Sequence, residues 1–436
     1  MANTVESVHK SPPPAPTHML INLSGLASAL VVVAWLVSEP WGDELRTLGV
    51  VLVGLAFALP IAVAEVLFLK THRNESTGLQ WQKSQPHWGR CIVKLVGFYG
   101  VVAAVALVYW VLPEYHGSFY DGYFSLVWAA LPYWLVLAIG YFYWVDSKMV
   151  NPKDGYWQLG RWLLGRQTCT DKIGQLLLGW VVKLFFLPLM FVYMGNNLQA
   201  IYNTDWSDIF SSFQRFFDVA FNFLYFIDLL IVAVGYVCTL RILDTHIRST
   251  EPSFLGWAVA LMCYQPFWSL FSGTYIYYDQ GPSWGYWFWG MDLAYLLWGL
   301  GILALLCVYV WASLAFGLRF SNLTHRGILT NGPFRFTKHP AYVSKNLSWW
   351  MISMPFMVSA SLEQTLRQCA MLLLLNGIYF LRARTEERHL AKDPVYVAYA
   401  RFIEQHGLFA RLGRWLPWLR FHPGQLLGAV AVGKSA

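Results

Sequence analysis

The chain has 436 residues, 57% of them hydrophobic and only 13% charged, against roughly half and a quarter in soluble domains. That balance excludes a soluble globular protein, and six scattered cysteines without a CxxC pair exclude a disulfide scaffold or a zinc site. The net charge of +7 reads as membrane topology and anionic headgroups, with no nucleic-acid partner.

In chain order, residues 1–18, with Lys10 and a Pro-rich stretch at 11–16, are expected to form a disordered cytoplasmic tail. Apolar runs near the ~20 residues needed to cross a bilayer follow at 19–38, 48–69, 91–112, 124–145, 174–194, 216–237, 254–278, 291–316, 342–359 and 366–381. The first is long and lacks a cleavage site, so it is expected to stay as an anchor. Of the 31 Lys and Arg, 25 fall in the N-terminal tail, the loops after spans two, four, six and eight, and the tail after span ten; Lys434 is the last. Only Arg46, Arg215 and Arg367 lie on the opposite side, and Lys94, Lys183 and Lys345 lie within spans. This asymmetry puts both termini in the cytoplasm. The expected fold is an all-α polytopic membrane bundle of about ten transmembrane helices, in a bacterial inner membrane or its equivalent. Residues 19–316 would form an N-terminal bundle of about eight helices. Residues 317–436 would form a C-terminal module with two transmembrane helices and a cytoplasmic tail. The oligomeric state is not legible.

Between spans four and five, residues 146–173 mix basic residues with Tyr156, Trp157, Trp162, Leu163 and Leu164, the pattern of an interfacial amphipathic segment. Glu65, Lys94, Lys183, Asp218 and Asp228 fall within spans and mark either a functional site or ion pairs between helices. The eleven histidines are dispersed; His72, His87 and His246 share loops without ligand spacing, so no metal is assigned.

Two polar motifs remain. In Gly332-Pro333-Phe334-Arg335-Phe336-Thr337-Lys338-His339-Pro340-Ala341-Tyr342, Gly332-Pro333 makes a turn. His339-Pro340 starts a helix, because proline is tolerated in a first turn whose N–H groups have no partner. Free amides there, with Arg335, Lys338 and His339 nearby, suit a carboxylate or phosphate; a basic interfacial loop would look the same. In Arg382-Ala383-Arg384-Thr385-Glu386-Glu387, spacings of three and four permit ion pairs along one helix. The carboxylates suit an ammonium group, or simply a solvated helix end.

Together with Tyr396-Val397-Ala398-Tyr399, the motifs resemble the isoprenylcysteine carboxyl methyltransferase family and its phospholipid-methyltransferase relatives over about the last quarter of the chain. The resemblance implies S-adenosylmethionine as cofactor, with Arg335, His339, Pro340, Tyr342, Glu386 and Glu387 binding it. It implies methyl transfer to a lipophilic acceptor of isoprenoid or phospholipid type, a membrane lipid or lipidated substrate reached from the bilayer. Asn346, Asn376 and Arg382 are the candidates for orienting that acceptor. Two departures stand out. Lys392-Asp393-Pro394 replaces a longer connection with a Phe-Gly, which leaves the roles of Tyr396 and Tyr399 open, and family members are often smaller. Two alternatives remain. One is a sterol-reductase-like NADPH enzyme, favoured by chain size but opposed by Pro340 after His339 and by Glu386-Glu387 where an Arg-Asp pair belongs. The other is a transporter or lipid-binding scaffold, for which no broken symmetric half-spans appear.

Overall fold

The computed structural model describes residues 11–39, 43–82, 84–271, 273–358 and 361–421. Lys10, Lys83, Lys434, the expected tail over 1–10 and the side chain of Arg46 lie outside the described residues. The helices in chain order are α1 Met19–Ser38, α2 Asp43–Ala64, α3 Trp88–Val111, α4 Asp121–Lys148, α5 Gly155–Leu163, α6 Asp171–Tyr202 and α7 Phe213–Val237. After strand β1 Ser249–Thr250 come α8 Phe254–Leu261, α9 Phe267–Phe271, α10 Trp284–Trp287 and α11 Asp292–Ala315. Strand β2 Thr324–His325 precedes α12 Pro340–Ser353, α13 Leu362–Leu390, α14 Pro394–His406 and α15 Ala410–Trp415.

Among the described residues, seven helical stretches are long and apolar enough to cross a membrane: α1, α3, α6, α7, α11, residues Leu48–Leu69 and residues Ser118–Lys148. They make the chain an integral membrane protein. Tyr133, Val136 and Leu137 are all exposed on α4, the kind of apolar surface a spanning helix presents to lipid.

Three expected spans look different. The stretch 254–278 is two short helices, α8 and α9, with Pro266, which has no N–H to donate, immediately ahead of the first turn of α9. Helix α12 has 14 residues, about 21 Å at 1.5 Å per residue, which falls short of a ~30 Å hydrocarbon core. Helix α13 has 29 residues, enough length, but carries Arg367 at one end and Arg382 to Arg388 at the other.

The core joins α1, α2, α6, α7 and α11 around Phe57, Phe186, Phe226 and Leu230. Beside it, α5 lies directly on α3. A Cβ on Gly160 would sit 1.9 Å from the Val93 carbonyl oxygen, and one on Gly97 would sit 2.2 Å from that of Tyr156. The two glycines let backbone touch backbone, so the amphipathic segment is docked while Trp162, Leu163 and Leu164 stay exposed.

The intraspan charges are mostly paired. Glu65 meets Arg319 at 2.6 Å, and Lys94 meets Asp146 at 2.8 Å and Asp154 at 3.3 Å. Asp228 accepts from Tyr309 at 2.6 Å and Ser313 at 2.5 Å, and Lys183 lies 4.9 Å over the Trp180 ring. Asp218 is exposed.

The loops after α2, α7 and α11 meet on one face. Asp244 accepts from Asn74 at 3.0 Å and Ser76 at 2.7 Å, and β1 pairs antiparallel with β2. Buried Arg326 donates to five backbone carbonyls, those of Thr245, Gly235, Phe320, Cys238 and Leu318. Residues 11–18 of the expected tail lie on this face too. Thr17 donates to Ala315 at 2.7 Å, and Thr330 to Pro13 at 2.7 Å. The first of these bonds satisfies a carbonyl that the end of α11 would otherwise leave unpaired.

Candidate functional site

The first motif folds as a 3₁₀ turn, Gly332–Arg335, followed by α12, with His339 as its N-cap residue. Gly332 has φ 54°, left-handed backbone that glycine adopts without steric cost. The first bond back into α12 runs from Val343 N to His339 O at 3.1 Å, so the amides of Ala341 and Tyr342 have no partner within the helix. Opposite lies the C-terminal part of α13, which breaks at Asp393-Pro394. Asp393 Oδ1 caps α14 by accepting from Val395 N at 2.8 Å.

Between them is a cavity of about 1020 Å³, open solvent at its mouth included. The start of α12 contributes His339, Pro340, Ala341 and Tyr342, then Lys345 one turn on. Helix α13 contributes Tyr379, Arg382, Thr385, Glu386, His389 and Leu390, a single face at steps of three and four. The wall is completed by Tyr264 of the α8–α9 connection, Tyr309 and Ser313 of α11, and Asn322 and Thr324 near β2.

The site residues expected from the sequence fall into three groups. His339, Pro340, Tyr342, Arg382 and Glu386 line the cavity. The Tyr342 hydroxyl donates to Glu386 Oε2 at 2.9 Å, and the His339 ring lies parallel to Tyr342 with centroids 5.5 Å apart. Arg382 does not pair with Glu386. Its guanidinium sits 5.2 to 5.9 Å from the ring centres of Tyr342, Tyr264 and Tyr379 and donates to Asn322 Oδ1 at 2.7 Å.

Glu387 is behind the wall, 2% exposed. It pairs with Lys338 at 2.7 Å, with Arg384 at 2.8 Å and with His339 Nε2 at 3.2 Å. Burial opposes its charge, yet the hydrogen bond from His339 and the charge of Lys338 hold the carboxyl down at about 2. Lys338 also reaches Glu404 of α14 at 2.7 Å, so this network fastens the tail to the motif.

Asn346, Asn376 and Arg335 lie away from the cavity wall. Asn376 Nδ2 donates to Asn346 Oδ1 at 2.6 Å, Trp350 Nε1 donates to Asn376 Oδ1 at 2.7 Å, and Asn346 Nδ2 donates to Tyr342 O at 2.7 Å. Arg335 is exposed. Tyr399 donates to Phe334 O at 2.7 Å, and Tyr396 is packed beside it against Phe421.

Several lining residues carried no motif. His389 and Tyr379 could have been found by extending the face of α13 from Arg382 in steps of three and four. Glu251, Tyr264, Tyr309 and Asn322 come from distant segments, and no local pattern marks them. Among the described residues, no group of His, Cys, Asp and Glu could hold a metal ion.

Residues 293–392, from the start of α11 to just past α13, match the isoprenylcysteine carboxyl methyltransferase (ICMT) family. This part of the chain is an isoprenylcysteine carboxyl methyltransferase-like module. The match supports a membrane methyltransferase and ends before Tyr396 and Tyr399. No curated protein and no solved structure matches the chain.

Proposed function

We propose that the chain transfers a methyl group from S-adenosylmethionine to an anionic group on a membrane lipid or lipidated molecule. The observation that carries this reading is the polarity of one cavity wall. Glu386 lies on α13 about 6 Å, four residues at 1.5 Å each, from Arg382, so an anionic and a cationic subsite share one cavity.

The donor set fits the cofactor. Glu386, held by the Tyr342 hydroxyl, is placed for an ammonium group, and the partnerless amides of Ala341 and Tyr342 at the positive end of α12 suit a carboxylate. In this reading Arg335 has no direct contact with the cofactor. Glu387 acts through Lys338 and His339, and Asn346 and Asn376 hold the α12–α13 hairpin together.

When bound, S-adenosylmethionine supplies an electrophilic methyl on a sulfonium. The protein's task is to align an acceptor oxygen with it and exclude water. Arg382 and Lys345 sit at the inner end, where Lys345 lies 5.4 Å over Tyr309 and 5.3 Å over Trp349. Among the described residues neither cation forms a carboxylate ion pair, although the buried Asp228 carboxylate acts on Lys345 electrostatically. Two such cations favour a carboxylate or phosphate oxygen as acceptor, which needs no base to become nucleophilic. The test is calorimetric titration of detergent-purified protein with S-adenosylhomocysteine. Binding by the wild type and its loss in Glu386→Gln support the reading; no binding by the wild type sinks it.

A further inference from the structure

The outer end of the same cavity is built partly from a segment that lies outside residues 293–392. β1 leads into Glu251, and Ser253 caps α8 by accepting from Gly256 N at 3.2 Å. Pairing of Ser249 with His325 and Thr250 with Thr324 fixes Glu251 against α13. The carboxylate is 4% exposed, and its two oxygens differ. Oε1 accepts from Ser253 N at 2.8 Å and Arg388 at 3.5 Å, whereas Oε2 has no hydrogen-bond partner.

Two neighbours share that condition. Thr324 Oγ1 is buried without a hydrogen-bond partner, and so is His389 Nδ1, 3.7 Å from Glu251 Oε2. His389 uses its other nitrogen on Ser249 Oγ at 3.0 Å and is 5% exposed. Burial, helped by nearby Lys392 and His325 against the opposite pull of Glu251, lowers this imidazole to about 4. At neutral pH it is uncharged, so Nδ1 can accept or donate and forms no ion pair with Glu251.

Three orphaned polar atoms on one wall are costly, because each buried group without a partner forfeits its solvation with nothing in return. The cost is recovered when a ligand supplies the partners. Glu251 Oε2 can only accept, while Thr324 Oγ1 and a neutral imidazole nitrogen can do either. That set matches two adjacent hydroxyl groups.

We infer that Glu251, Thr324 and His389 form a subsite for the ribose cis-diol of the cofactor. His389 is one turn outward of Glu386 on α13, so the ribose would lie on the loop side of the ammonium subsite and the acceptor on the membrane side. This rests on the cofactor assignment made above. It gives the N-terminal bundle a direct share in cofactor binding, delivered through β1 and the β1–β2 pair.

The test compares S-adenosylhomocysteine with its 2′,3′-dideoxy analogue by calorimetry. In Glu251→Gln, affinity for S-adenosylhomocysteine should fall roughly 10- to 100-fold, with the dideoxy analogue weak and nearly equal in variant and wild type. Thr324→Val removes an unpartnered hydroxyl at nearly constant shape, so it should fold normally and show the same selective loss, about several-fold. Equal losses for both ligands, or no loss in a folded Thr324→Val and Glu251→Gln, overturn the diol subsite. Failure of the wild type to bind S-adenosylhomocysteine at all is a different result and rejects the cofactor assignment instead.

Discussion

The Tyr342 hydroxyl donates to Glu386 across the α12–α13 hairpin at 2.9 Å. One residue belongs to the His-Pro motif and the other to the Arg-x-Arg-x-Glu-Glu motif, so this bond ties the two together at the cavity wall. Tyr342→Phe should weaken S-adenosylhomocysteine binding by about 3- to 10-fold, the net scale of one ordinary hydrogen bond, with little change in melting temperature. Calorimetry and a thermal melt on the same preparation check both halves.

The adjacent glutamates should behave differently. Glu386→Gln should leave a folded protein that binds S-adenosylhomocysteine at least 10-fold more weakly. Glu387→Gln removes the shared partner of Lys338, His339 and Arg384 in a buried site. Breaking such a network costs about 3–5 kcal/mol, so the melting temperature should fall markedly. Equal stability in the two variants would contradict the split between a binding and a bracing carboxylate.

Acid sensitivity should follow the histidines. Burial, together with Arg248, lowers His325 to about 4, and His389 is lowered to about 4 as well, against an ordinary value near 6.5. The folded value is below the unfolded one, so the unfolded chain binds more protons between them. Stability is complete above pH ~6.5 and declines as the pH falls toward 4. Glu387 acts in the same sense but at lower pH. Its carboxyl is held at about 2, so its contribution is retained above ~4.3 and lost only as the pH falls through about 2. Between pH 7 and 5 the loss should be on the order of 1–2 kcal/mol per histidine. A melting curve series should show it, and His389→Gln should flatten it.

Asn346 and Asn376 should affect the hairpin more than the ligand. Asn376→Leu leaves Trp350 Nε1 and Asn346 Oδ1 without their partners, and should cost about 1 kcal/mol, in line with polar bonds between membrane helices. Affinity for S-adenosylhomocysteine should stay within about 2-fold. A large loss of affinity at unchanged stability would give these residues a direct role.

The sequence made the helical membrane class, the turn at Gly332-Pro333 and the helix start at Pro340 legible, because each rests on a local rule of backbone chemistry or on composition. It was less informative where length and polarity compete. The apolar stretch at 254–278 looks continuous yet folds as two short helices, and α13 is long enough to cross but charged at both ends. The cavity was half legible. His339, Pro340, Tyr342, Arg382 and Glu386 were named through the family resemblance of the two motifs, whereas Glu251, Asn322 and Tyr264 reach the site only through β1–β2 pairing and helix packing. Arg382 shows the same limit. Its spacing pointed to Glu386, but three tyrosine rings and Asn322 offered a buried guanidinium better surroundings.

The central claim, that one cavity holds S-adenosylmethionine against Glu386, is tested most directly by titrating purified wild-type protein and Glu386→Gln with S-adenosylhomocysteine, with NADPH in parallel. The account predicts saturable binding of S-adenosylhomocysteine to the wild type, at least 10-fold weaker binding to the folded variant, and none of NADPH. Binding of NADPH in place of S-adenosylhomocysteine, or wild-type affinity in the variant, would contradict it.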